Sequence, residues 1–106
     1  MASILLLEGD PDVRRLLLIV LAELGHAAAV LETGAEPQGA EVLILDPVSP
    51  PHLAQARRVR EQVPGLPVIC MSFLRDPSSL GEGRLVHLQK PFTADELEAA
   101  VEDALA

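Results

Sequence analysis

Four places in this sequence carry side chains whose types could do chemistry together. The stretch LLLEGDPD, residues 5–12, ends an apolar run in the carboxylates of Glu8 and Asp10, with Gly9 between them. Asp46 follows the apolar run 42–45, Ser72 follows 68–71, and Lys90 stands two residues beyond 85–88. Grouped carboxylates can hold a divalent cation, and a hydroxyl and an ammonium can meet an anionic group. Lys90 is the only lysine in the chain; every other basic side chain is arginine. A compact ammonium on a flexible stem is thus placed where a rigid guanidinium fork would substitute badly.

These groups share one trait, which is that each follows an apolar run. Five such runs recur, at 4–7, 27–31, 42–45, 68–71 and 85–88, and three are continuous, as in strands covered on both faces. Helical patterns lie between them. Asp10 suits an N-cap, Pro11 the first helical position and Asp12 the positive helix end. Val13, Leu16, Leu17, Val20, Leu21 and Leu24 then follow 3.6-residue spacing up to Gly25. A second helix is predicted over 51–63 with Leu53, Ala56 and Val59 inward, and a last one behind the capping box Thr93-Ala94-Asp95-Glu96, with Leu97, Val101 and Ala104 on one face. Residues 32–39 have the Gly and Pro of a loop, and 75–84 can hold one or two helical turns at most. Strands alternating with helices imply right-handed crossovers and a parallel sheet whose sites lie at the carboxyl ends of its strands. Glu8, Asp46, Ser72 and Lys90 would then converge at one sheet edge.

The whole chain narrows the function classes. At 106 residues it is read as a single domain with one core, with no output domain following Ala106. The two aromatic residues are both Phe, so the core must be aliphatic. A formal net charge of -8 argues against nucleic acid as a direct partner. Arg57, Arg58 and Arg60 read as a solvated helix face. Cys70, inside the apolar run VICM, reads as a buried inert thiol. No leader sequence or membrane-length apolar stretch is present, so a cytoplasmic location and no membrane partner are expected.

At LLLEGDPDVRRLL, EVLILDPVSP, LPVICMS and HLQKPFTADEL, nearly the full length of the chain resembles the receiver domain of two-component response regulators (CheY-like). Lys-Pro-Phe after a strand and before a capped last helix is the most specific of these matches. The resemblance implies an α/β, flavodoxin-like, doubly wound five-stranded parallel sheet of order 2-1-3-4-5. It implies a phosphoacceptor module rather than a classical enzyme, taking a phosphoryl group from a histidine kinase or phosphotransfer protein and signalling to a downstream protein. By position, Asp46 is the implied phosphoacceptor, Ser72 and Lys90 the phosphoryl-contacting residues, Pro91 a cis proline, and His87 the switch position. Mg2+ is the implied cofactor, held by Glu8, Asp46 and the backbone carbonyl of Val48. Those roles suit phosphoryl transfer, which needs in-line positioning and charge neutralisation.

The sequence also departs from the family pattern. Two adjacent acids are expected after the first strand, and here they are Glu8 and Gly9, so one metal-binding carboxylate is missing. Asp10 is a substitute in reach, but its place suits an N-cap better. Pro47 removes a backbone N–H next to Asp46. The spacings of 38, 26 and 18 residues between Glu8, Asp46, Ser72 and Lys90 are trimmed, with the losses falling on the second and fourth helices. Leu18 and Ile19 fall outside the inward stripe and mark a candidate contact for a partner or for a second copy of the chain, as a homodimer. Two readings follow, a phosphorylated receiver and a pseudo-receiver interaction module that keeps the fold without the phosphate.

Overall fold

The computed structural model describes residues 2–32, 35, 39–47, 50–72 and 85–106, the side chains of Pro50 and Ser72 excepted. Its elements are β1 (Ser3–Leu7), α1 (Pro11–Glu23), β2 (Ala27–Val30), β3 (Val42–Leu45), α2 (Pro50–Gln62), β4 (Val68–Ser72), β5 (Leu85–Gln89) and α3 (Ala94–Leu105). The five strands form one parallel sheet in the order β2-β1-β3-β4-β5. No helix is described between β2 and β3 or between β4 and β5, so the helical complement is reduced among the described residues. The predicted turns at 75–84 and most of the 32–39 loop lie outside them.

The two-residue period of a strand explains how the sheet is covered on both faces. Ile4 and Leu6 of β1, Val42 and Ile44 of β3, and Ile69 and Met71 of β4 point to one side, where Leu17 and Leu21 of α1 meet Leu97, Ala100, Val101 and Ala104 of α3. Leu7, Leu43, Leu45, Val68 and Cys70 point to the other, against Ala56 and Val59 of α2 together with Leu31 and Leu66. Every residue of β3 is buried, as a continuous apolar run in the middle of a parallel sheet requires. The core is aliphatic, and Cys70 is a free, buried thiol.

The helix termini form where the residue types direct them. The Asp10 carboxylate accepts from the backbone N–H groups of Asp12 and Val13 at 2.9 and 3.4 Å, with Pro11 first in the helix. At α3 both halves of the capping box are made: Glu96 N–H donates to Thr93 Oγ1 at 3.1 Å and Thr93 N–H donates to Glu96 Oε1 at 2.9 Å. A tie that the sequence pattern does not show joins the start of β1 to α3. Ala2 N–H donates to His26 Nδ1 at 3.1 Å, which leaves His26 Nε2 as the protonated nitrogen facing Glu98 Oε1 at 3.0 Å.

Two expectations are corrected. The inward stripe of α1 is rotated: Leu16 is 61% exposed, whereas Leu18 packs partly against the core, and only Ile19, at 50%, stays outside as expected. The helix packs against β2, with Leu17 and Leu21 buried, Leu18 half-buried and Leu16 on the outer rim. The arginine cluster is also split. Arg57 and Arg58 are exposed, but Arg60 is buried and donates from Nε to the Leu66 carbonyl at 3.3 Å, satisfying a backbone acceptor at the turn after α2. Burial lowers the Arg60 pKa, and the neighbouring Cys70 opposes that shift.

Candidate functional site

Strand register brings the acids together. Leu7 pairs with Leu45 as the last step between β1 and β3, and Asp46 N–H donates to the Leu7 carbonyl at 2.9 Å, extending that ladder by one residue. Glu8 and Asp46 therefore leave neighbouring strands at the same level. Leu45 is in register with Cys70 and Cys70 with His87, which carries the row across to β5. Lys90 follows the last residue of β5 and reaches back over β4. Its Nζ donates to Asp46 Oδ2 at 2.8 Å and to Glu8 Oε2 at 3.0 Å. The side chains concerned are 11%, 16% and 3% exposed for Lys90, Asp46 and Glu8, so solvent screens these pairs weakly. Burial alone would depress the Lys90 pKa, but the hydrogen bonds it donates to Asp46 and Glu8, with the charges of those carboxylates, outweigh it and the net shift is upward.

The second oxygen of Glu8 is also engaged, accepting from Asp10 N–H at 3.1 Å. Asp10 itself is exposed and directs its carboxylate to the helix start, away from the ion pair. Position 9 has no side chain, and a Cβ built there would lie 3.6 Å from His52 Cε1, an ordinary van der Waals contact. His52, in the first turn of α2, carries a buried Nδ1 without a hydrogen-bond partner among the described residues. No sequence pattern singled out this residue, and its nearness to Gly9 follows from α2 starting directly after the Asp46 loop.

This arrangement of strands and helices has structural counterparts. The Vibrio cholerae chemotaxis protein CheY4 superposes with a TM-score of 0.85 at 19% identity, with 99% of each chain covered. The chain has the fold of a response-regulator receiver domain. A receiver protein from Sinorhizobium medicae matches at a TM-score of 0.78 and 23% identity, covering 98% of this chain and 94% of its own. NtrX from Brucella abortus, solved with ADP, matches at 0.81 and 24% over 98% of this chain, which spans only 26% of the NtrX chain. No protein-family model and no curated protein sequence matches the chain.

The remaining positions that the sequence resemblance singles out are placed unevenly. The backbone of Ser72 ends β4 in register with Gln89, while its side chain, like Val48, lies outside the described residues. His87 sits half-buried in the middle of β5, three residues before Lys90. The Lys90–Pro91 peptide bond is cis. Cys70, one strand over, is pushed up to about 11 by burial above all, with Arg60 opposing and Asp46 adding to the shift.

A resident Mg2+ fits these residues poorly. Mg2+ demands near-octahedral oxygen ligands. Position 9 offers none, the carboxylates of Glu8 and Asp46 both face the Lys90 ammonium, and among the described residues the group that a Cβ at position 9 would meet is an imidazole. Among the described residues no group of three or more His, Cys, Asp or Glu side chains is placed to hold a metal ion.

Proposed function

We propose that the chain is a receiver module of a two-component pathway, accepting a phosphoryl group on Asp46 from a histidine kinase or phosphotransfer protein and signalling through protein contacts. The observation that carries this reading is the 2.8 Å contact between Lys90 Nζ and Asp46 Oδ2 at the carboxyl end of the central sheet. In the transfer, a carboxylate oxygen of Asp46 attacks phosphorus, an acyl phosphate forms, and the phosphorus–nitrogen bond of the donor histidine breaks. The donor imidazole leaves with the bonding pair and takes up a proton. The Lys90 ammonium balances charge that accumulates on the phosphoryl oxygens, a form of stabilisation that works best where water is excluded. Ser72 is the hydroxyl assigned to a phosphoryl oxygen, and His87 is the residue assigned to relay the change to the β5–α3 surface. The module turns over no substrate beyond its own phosphorylation and dephosphorylation.

A second reading, a pseudo-receiver that binds its partner without a phosphate, is favoured by one feature. Lys90 is shared between Asp46 and a second, deeply buried carboxylate, so its charge is already engaged twice before any phosphoryl group arrives. Incubation with acetyl phosphate or a phosphorylated kinase, followed by intact mass, separates the two. One phosphoryl adduct that is lost in Asp46→Asn supports the phosphoacceptor. An unmodified wild-type chain supports the pseudo-receiver.

A further inference from the structure

Glu8 and Asp46 already have a counter-charge within the chain. The ammonium of Lys90 lies 3.0 Å from one and 2.8 Å from the other, and the three side chains are almost wholly withdrawn from solvent. A divalent ion drawn to this pocket meets a cation seated between its two carboxylates. It finds no carboxylate at position 9, where the edge of the His52 imidazole lies within van der Waals reach of any side chain that would begin there. The second oxygen of Glu8 is held by the backbone of Asp10, which fixes that carboxylate towards the ion pair and away from a new ligand geometry. Charge and ligand count therefore act in the same direction, since hard divalent ions need several oxygens and are attracted less strongly to two carboxylates of which one charge is already offset.

We infer that the chain supplies its own cation at this pocket: the Lys90 ammonium stands where a divalent ion would otherwise balance Glu8 and Asp46, and the resting fold is independent of Mg2+. The inference concerns the unmodified chain and goes beyond the proposed function, holding with or without transfer of a phosphoryl group to Asp46.

Titration of Mg2+ into the metal-free chain, read by backbone amide shifts of residues 8–10 and 46 and by the thermal midpoint, tests it. The wild-type chain is expected to show no shift and no stabilisation through millimolar Mg2+. Lys90→Met, which keeps the length of the side chain and removes its charge, is expected to bind Mg2+ at least about tenfold more tightly and to gain thermal stability as the ion is added. Gly9→Asp combined with Lys90→Met is expected to bind more tightly again. If the methionine chain does not fold, Lys90→Gln, whose amide still donates to a carboxylate, gives the same comparison. Saturation of the wild-type chain at submillimolar Mg2+ overturns the inference, as does a charge-neutral variant that responds no more than wild type. Phosphoryl transfer is not read in this experiment, so its outcome leaves the assignment of Asp46 as phosphoacceptor to its own test.

Discussion

Lys90 and Glu8, 82 residues apart in sequence, are joined by a 3.0 Å hydrogen bond that ties the end of β5 to the end of β1. Because Lys90 also serves Asp46, its removal leaves two neighbouring carboxylates facing each other, one of them deeply buried. Lys90→Met is therefore expected to lower the unfolding free energy by roughly 3 kcal/mol, the usual scale for stripping one partner from a buried pair. Glu8→Gln should cost clearly less, since the amide keeps an acceptor for Asp10 N–H and Lys90 keeps Asp46. Urea unfolding of the two variants checks the order, and equal losses would show that Lys90 is not shared.

Alkaline pH should weaken the fold in two overlapping steps. Cys70 is raised from 9.0 to about 11 and Lys90 is raised from 10.5. Both folded-state values lie above the unfolded ones, so the stability linked to each group is complete below the unfolded pKa and is lost as pH rises through the folded one. The urea midpoint is expected to hold near neutrality, to fall from about pH 9 as the unfolded thiol ionises, and to keep falling above about pH 10.5 as the Lys90 pair is lost. Cys70→Ala should remove the first step and leave the second. The same raised value predicts that Cys70 in the folded chain resists iodoacetamide near pH 8, where the buried group remains a thiol.

Two adjacent leucines of α1 should behave very differently. Leu17 is buried in the cluster that joins the sheet to α1 and α3, whereas Leu16 is largely exposed on the rim. Leu17→Ala is expected to cost about 2–5 kcal/mol through the cavity it leaves. Leu16→Ala should fall below about 1 kcal/mol, in the range of surface substitutions. Thermal or urea unfolding of the pair would also fix the orientation of the helix in solution.

The contrast between those leucines marks the boundary of what the sequence reveals. Strand runs, the Asp10 cap and the Thr93–Glu96 capping box were legible because each is written in local residue types. The convergence of Glu8, Asp46 and Lys90 was legible because all three sit at strand ends, and parallel strands place their ends on one edge. The rotation of α1 was not, since a helix with apolar residues at 16, 17, 18, 19, 20 and 21 offers several stripes, and only its packing on β2 and α3 selects one. The burial of Arg60 has no local signal, because its guanidinium meets a backbone acceptor, the Leu66 carbonyl, whose position is set by a turn. His52 had no signal at all, because its nearness to Gly9 is a property of how α2 leaves the Asp46 loop.

Asp10 offers the most direct separation of a structural from a ligand role at this site. Its carboxylate accepts from the N–H groups of Asp12 and Val13, the arrangement of an N-cap, and only its backbone touches Glu8. If capping is the role, any residue with a short side-chain acceptor should serve. Asp10→Ala is expected to lower stability by about 1 kcal/mol, while Asp10→Ser recovers most of that loss. The backbone donor to Glu8 is kept in both, so the Lys90 pair should be undisturbed and the extent of Asp46 modification by acetyl phosphate should equal that of wild type. A ligand role gives the opposite pattern, because a serine hydroxyl replaces a carboxylate poorly at a cation and both variants would lose modification together. Unfolding curves and intact masses of the two variants, taken side by side, decide which of the two Asp10 performs.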